Sequence, residues 1–119
     1  MPFKGILQNL VEHTPGATGA ILADWEGEAV EHFSLYDDYE LKIIGAHKGI
    51  ILNRVRELQQ GGVAGEPREV LLSTDRAHII TGAIGKDYSL VMTLDSDAVV
   101  GRALYHFRQS VVELAKEIY

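Results

Sequence analysis

The residues able to bind a metal or move a proton are five histidines and a set of carboxylates. His13, His32, His47, His78 and His106 fall in different expected elements. No two stand at the close helical or strand spacing that aims a pair of imidazoles at one ion. They are expected to be solvated or edge histidines. Cysteine is absent, which removes disulfides, thiolate metal sites and a thiol nucleophile together. No G-x-S-x-G elbow is present, and neither Ser73 nor Ser89 has a base evident from the sequence. The stretch from Gly82 to Asp87 looks superficially like a phosphate loop. Ile80 stands where its first glycine should be, Asp87 replaces the magnesium-binding hydroxyl, and a strand follows instead of a helix. It is expected to be a hairpin turn. Asp24, Glu26 and Glu28 bunch at another turn. The acidic run from Tyr36 to Glu40 opens a helix, where the macrodipole explains it. The sequence therefore leads us to expect no catalytic residue, no metal site and no cofactor.

These side chains must be held by elements that the hydrophobic spacing marks out. Phe3, Ile6, Leu7, Leu10 and Val11 recur at helical spacing over residues 3–13, and Thr14-Pro15-Gly16 stops that helix. Residues 17–23 form an apolar strand candidate. Asp24-Trp25-Glu26-Gly27 is a hairpin loop, and residues 28–34 alternate as a half-exposed strand. A long helix is expected over 38–60, ended by the glycine-rich loop 61–67. Strands follow at about 68–74, 77–84 and 88–94. Asp95-Ser96-Asp97 offers N-cap residues for a final helix over 98–118, with Val100, Ala103, Leu104, Phe107, Val111, Leu114 and Ile118 on its buried side.

The expected order is α-β-β-α-β-β-β-α. With short connections everywhere except the middle helical crossover, the economical fold is α+β. It is a five-stranded, mostly antiparallel sheet with helices on both faces, in a single domain spanning 1–119.

The whole chain has 119 residues and a net charge of −6, with eleven basic residues in no cluster. That charge balance argues against nucleic acid and against anionic membrane surfaces as partners. No uninterrupted apolar stretch approaches the roughly 18 residues needed to span a bilayer. The N-terminus lacks a signal-peptide core, so a cytoplasmic protein is expected.

The middle helix is unusual. Leu41, Ile44, Ile51, Leu52, Val55 and Leu58 fall on one side. Tyr39, Ile43, Ala46 and Ile50 fall nearly opposite, at the 4-3-4 spacing of a short coiled-coil seam. One face suffices for packing on a sheet. The second is covered either by another part of the same chain or by the same helix of a second copy. Symmetric crossing near Ala46 suits the second option. Lys42, Lys48, Arg54 and Arg56 flank the seam, which turns polar at Asn53 and Glu57. Lys42, Asn53, Arg54 and Arg56 are candidates for contact with a further partner.

Three segments together carry a family resemblance. They are Thr14 to Gly27, with its P-G…G-A-x-L-x-D pattern; Arg68 to Leu72 with His78-Ile79-Ile80; and Leu90 to Leu94 running through Gly101 to Phe107. In their order the chain resembles the roadblock/dynein light chain family, and within it the MglB-like regulators of Ras-like GTPases. The resemblance implies a roadblock-like, profilin-like fold and a homodimer. The middle helices of such a dimer pair antiparallel through Tyr39, Ile43, Ala46 and Ile50. Its third strands join across the dyad, here through Arg68, Val70 and Leu72. The resemblance further implies a non-enzymatic module that binds a Ras-like small GTPase, in some members promoting hydrolysis by positioning the GTPase's own residues. A profilin-like sensor of small molecules, or an adaptor without a GTPase partner, is the alternative.

Overall fold

The structure, a computed structural model, describes residues 3–24, 26, 28–35, 65 and 68–119. The first helix, α1 (Phe3–His13), buries Leu7, Leu10 and Val11 along one stripe. It gives way to a turn in which Ala17 N donates to Thr14 O at 3.0 Å. Strands β1 (Ala17–Asp24), β2 (Ala29–Ser34), β3 (Glu69–Ser73), β4 (Ala77–Ile84) and β5 (Tyr88–Asp95) follow, and helix α2 (Val100–Ile118) comes last.

The strands form one sheet in the order β2-β1-β5-β4-β3, and every pair is antiparallel. The fold is α+β, as the spacing predicts. Directly opposed residues share a face, so the register assigns each side chain to a layer. One row crosses the sheet as Phe33, Ala20, Met92, Ile80 and Leu71. This row faces both described helices. Ala20, Leu22, Ile80, Ile84, Leu90, Met92 and Leu94 pack there with Leu7 and Leu10 of α1 and with Ala103, Phe107 and Leu114 of α2. Each fully buried large side chain contributes roughly 1.5–3 kcal/mol, which makes this layer a large source of stability.

The other face carries His32, Ile21, Val91, Thr81 and Val70 in one row, and Ser34, Gly19, Thr93, Ile79 and Leu72 in the next. Ile21, Ala23, Ile79, Thr81, Val91 and Thr93 are buried as well. Neither α1 nor α2 belongs to the cluster that Ile21 and Ala23 form. Burial on both sides explains why β1 and β5 read as near-continuous apolar runs and not as alternating strands. Helices on both faces are expected from the sequence, but the helix assigned to the second face, 38–60, lies outside the described residues.

Strand ends differ from the sequence-based expectation by a single residue, and the start of the last helix by two. Asp95-Ser96-Asp97 does not cap α2. Asp95 is still paired with Ala77 at the end of β5, and its carbonyl accepts the Ala98 N–H at 3.1 Å. The acidic residues are thus spent on a turn, and the helix starts two residues later than the expected 98. Its N-cap is Val99, extended at φ −83° and ψ 101°, which offers no side-chain acceptor to the first turn.

Candidate interaction surface

Strand β3 ends the sheet, and among the described residues no strand pairs with its outer side. Such an edge leaves backbone donors and acceptors open to another chain. Its register with β4 aims Glu69, Leu71 and Ser73 toward α2, and Val70 and Leu72 toward the second face. Leu71 and Leu72 are 47% and 40% exposed, high for leucines in a strand. The edge is therefore apolar on both faces and carries no charge between Val70 and Thr74.

Charge enters at the start of the strand. Arg108 of α2 donates from Nε to Glu69 Oε2 at 2.7 Å and from Nη2 to Oε1 at 2.8 Å. This bidentate contact holds the Glu69 carboxyl below its ordinary range, chiefly through the hydrogen bonds and then through the guanidinium charge. A groove of about 780 Å³ runs beside the pair, between α2 and the β3–β4 strands. Val111 and Val112 line its helix side, Gly82 and Ala83 its sheet side, and Arg68 and Lys86 its rim. Gly82 is required here. A Cβ on it would come within 2.6 Å of the Phe107 ring, whose side chain is fully buried beneath the groove. Glycine lets that ring lie directly on β4.

The groups singled out for chemistry are engaged in structure. Asp24 Oδ1 accepts the N–H groups of Glu26 and Glu28 at 3.0 Å each, so its carboxylate builds the β1–β2 turn. Gly85, Lys86 and Asp87 form the turn between β4 and β5, with Gly85 at φ +64°, and no phosphate loop exists there. His13 Nδ1 lies 2.9 Å from Asn9 O, and His106 stacks edge-on against Tyr105. Among the described residues no cluster of three potential ligands surrounds a metal position. His47 and Trp25 lie outside the described residues.

Ser73 has a base after all. Its Oγ sits 2.7 Å from His78 Nδ1, and His78 Nε2 sits 3.0 Å from Ser96 O. A carbonyl only accepts, so Nε2 carries a proton, and in the neutral imidazole Nδ1 then accepts from the Ser73 hydroxyl. The hairpin register that opposes residues 73 and 78 was the available signal. The Glu69–Arg108 pair had none, because its members stand 39 residues apart.

Of the interface residues expected from the sequence, Val70 and Leu72 share the second face of β3. Arg68 precedes the strand, lines the groove, and accepts the Ala83 N–H through its carbonyl at 2.8 Å. Tyr39, Ile43, Ala46 and Ile50 of the seam, and Lys42, Asn53, Arg54 and Arg56 beside it, lie outside the described residues. No described helix is long and apolar enough to cross a membrane.

Neither a protein-family model nor a curated protein sequence matches the chain. Solved structures do. A Roadblock/LC7 domain from Streptomyces avermitilis superposes with a TM-score of 0.86 at 18% identity, covering 97% of this chain and 96% of its own. Myxococcus xanthus MglB gives 0.87 at 13% identity, covering 99% and 95%. Acanthamoeba castellanii profilin IB is more distant in shape, at 0.70 and 12% identity, covering 98% and 99%. The chain thus has the fold of Roadblock/LC7 domains and of MglB, and it shares the broader profilin architecture.

Proposed function

We propose that this protein is a single-domain, non-enzymatic, homodimeric interaction module that regulates or scaffolds a Ras-like small GTPase. The observation that carries the reading is the apolar edge of β3, exposed on a fold shared with MglB over nearly its whole length. Two copies joining β3 to β3 would complete the hydrogen bonding of both edges and cover Val70 and Leu72. Arg68 would flank that junction at the start of the strand. The 4-3-4 seam of Tyr39, Ile43, Ala46 and Ile50 would cross its own symmetry mate in the same dimer. Lys42, Asn53, Arg54 and Arg56 would then present a polar rim to the GTPase.

The module would act by binding, in the cytoplasm, without cofactor or metal. Any stimulation of hydrolysis would come from positioning the GTPase's own groups. The test is light scattering to size the chain, followed by pull-down against GTP- and GDP-loaded Ras-like GTPases encoded beside it. A dimer that retains one nucleotide state supports the reading. A monomer, or no retention in either state, removes it. Ile50→Glu should break the seam and shift the mass toward monomer, and an unchanged dimer would refute that seam.

The alternative is a profilin-like sensor or an adaptor without a GTPase. The groove beside Glu69 and Arg108 is the feature that favours it, since such a role needs a lined recess within one subunit.

A further inference from the structure

The hydroxyl of Ser73 is placed like a nucleophile. It stands at the end of β3, on the side of the sheet that faces α2, and it is exposed. Its Oγ lies 2.7 Å from His78 Nδ1. The far nitrogen of that ring, Nε2, lies 3.0 Å from Ser96 O in the turn after β5. The carbonyl sets the tautomer of the neutral ring: Nε2 carries the proton and Nδ1 is left as a base toward Ser73. A nucleophile, a base within hydrogen-bond reach and a third group that orients the base are the parts an activated serine needs. Here they come from β3, from β4 and from the turn between β5 and α2. The pairing of His78 with Ser73 on one side and with Leu94 on the other holds them in register.

The adjoining turn limits what this serine can do. The N–H groups of Arg76 and Ala77 both donate to Thr74 Oγ1 at 3.1 Å, and that of Thr74 donates to Ala77 O at 2.9 Å. These amides close the β3–β4 hairpin instead of receiving an oxyanion, a service worth about a hundred- to a thousandfold in rate where it exists. Attack without it succeeds only on a carbonyl that carries a good leaving group. We propose that Ser73 is a covalent acceptor for small acyl groups carried on such a leaving group, with His78 as its general base. In the transfer, Ser73 Oγ bonds to the acyl carbon while its proton passes to His78 Nδ1. The bond from that carbon to the leaving group breaks, and the leaving group departs with the electron pair. The imidazolium, held by Ser96 O, then gives its extra proton to water. The product is an alkyl ester of Ser73, whose own leaving group is poor, so the acyl group stays. The site is marked once and does not turn over. It lies on the opposite face of β3 from Val70 and Leu72 and goes beyond the GTPase reading, so it can fail while that reading stands.

The test treats the full chain with p-nitrophenyl acetate and follows acetylation of each serine over time by peptide mass mapping. Ser96 is the internal comparison, since it too is exposed but meets His78 through its carbonyl. Light scattering and circular dichroism check that each variant keeps its size and fold. Ser73 should be acetylated well ahead of Ser96. His78→Gln should slow that acetylation by about a hundredfold, the loss expected for a general base, while acetylation of the lysines stays the same. Deuterium oxide should slow it as well, because a proton moves in the step. Ser73→Ala should remove the adduct from its peptide. p-Nitroacetanilide, an amide with a poor leaving group, should leave Ser73 unmodified. The proposal is overturned if Ser73 gains acetyl no faster than Ser96, or if His78→Gln leaves its rate unchanged in a folded chain. It is equally overturned if the rate is the same in deuterium oxide, if Ser73→Ala keeps the adduct on Thr74, or if the amide reacts as fast as the ester.

Discussion

Arg108 on α2 reaches across to Glu69 on β3 and holds both of its carboxylate oxygens, at 2.7 and 2.8 Å. The pair is the described ion pair that ties the last helix to the edge strand. Glu69 titrates below its ordinary range in the folded chain, so the folded state binds its proton less readily than the unfolded state does. The stability this contributes is present above the ordinary glutamate range. It is lost as pH falls through the lowered folded value. Glu69→Gln should lower the thermal midpoint slightly near neutral pH, and the gap to the unsubstituted chain should close in acid. Arg108 is largely solvent-exposed and Glu69 partly so, and the gap should also shrink in high salt. Thermal melts across pH check this. A gap that stays constant down to strongly acid pH would mean that the carboxylate charge is not the cause.

Phe107 and Gly82 fit as a matched pair. Gly82→Ala places a methyl group within 2.6 Å of the ring, and the ring has no exposed side toward which to move. The cost should be roughly 1–3 kcal/mol, the usual range for overpacking. Phe107→Ala should cost roughly 3–5 kcal/mol through lost burial and a cavity. Combining Gly82→Ala with Phe107→Leu should cost less than the two single changes added, since each relieves the other. Urea denaturation of the four proteins gives the answer. Strict additivity would show that the alanine methyl meets something other than Phe107.

The element order of the described residues and the antiparallel sheet were legible because local rules agree with the fold. Alternation in β2, apolar runs in β1 and β5, and turn residues at Asp24 and Gly85 each pointed to their observed element. The start of α2 was misread because Asp95, Ser96 and Asp97 suit a cap and a turn equally. Pairing of Asp95 with Ala77 decided for the turn, and pairing is not a local property. The site was legible only where register reveals it. That Val70 and Leu72 share a face follows from alternation along β3, whereas their place at a strand junction is only what the resemblance implies. Glu69 and Arg108 come from elements far apart in sequence, and nothing in their own neighbourhoods marks either as paired. His78 and Ser73 lie between these cases: a short hairpin aligns them, but only a known turn length says so.

The displaced helix start leaves a defect open to repair. Val99 is 67% exposed at the N-cap of α2, already extended, and gives no acceptor to the first-turn N–H groups. Asp at this position can accept from that turn and places a negative charge at the positive end of the helix. Val99→Asp should therefore stabilise the chain by about 1 kcal/mol. Val99→Asn should give part of that gain without the charge. Denaturant midpoints with an unchanged slope would support the cap. Equal or lower midpoints for both variants would show that the first turn is satisfied in another way.

The edge strand offers the sharpest test of the proposed dimer. Leu72 sits near the end of β3, opposite Ile79, on the face shared with Val70. In the chain alone it is already 40% exposed, so a charged side chain there should cost the monomer little. At a β3–β3 junction the same charge would meet its own copy near the dyad, where like charges repel and neither is solvated. Leu72→Glu should accordingly move the mass by light scattering from dimer toward monomer while circular dichroism stays native. Leu71→Glu separates the two faces. It points toward α2, so it should disturb the dimer less than Leu72→Glu does. If Leu72→Glu leaves a full-strength dimer, the strands do not meet on this edge. If Leu71→Glu dissociates it equally, the contact does not distinguish the two faces of β3, and the register of the junction must be different.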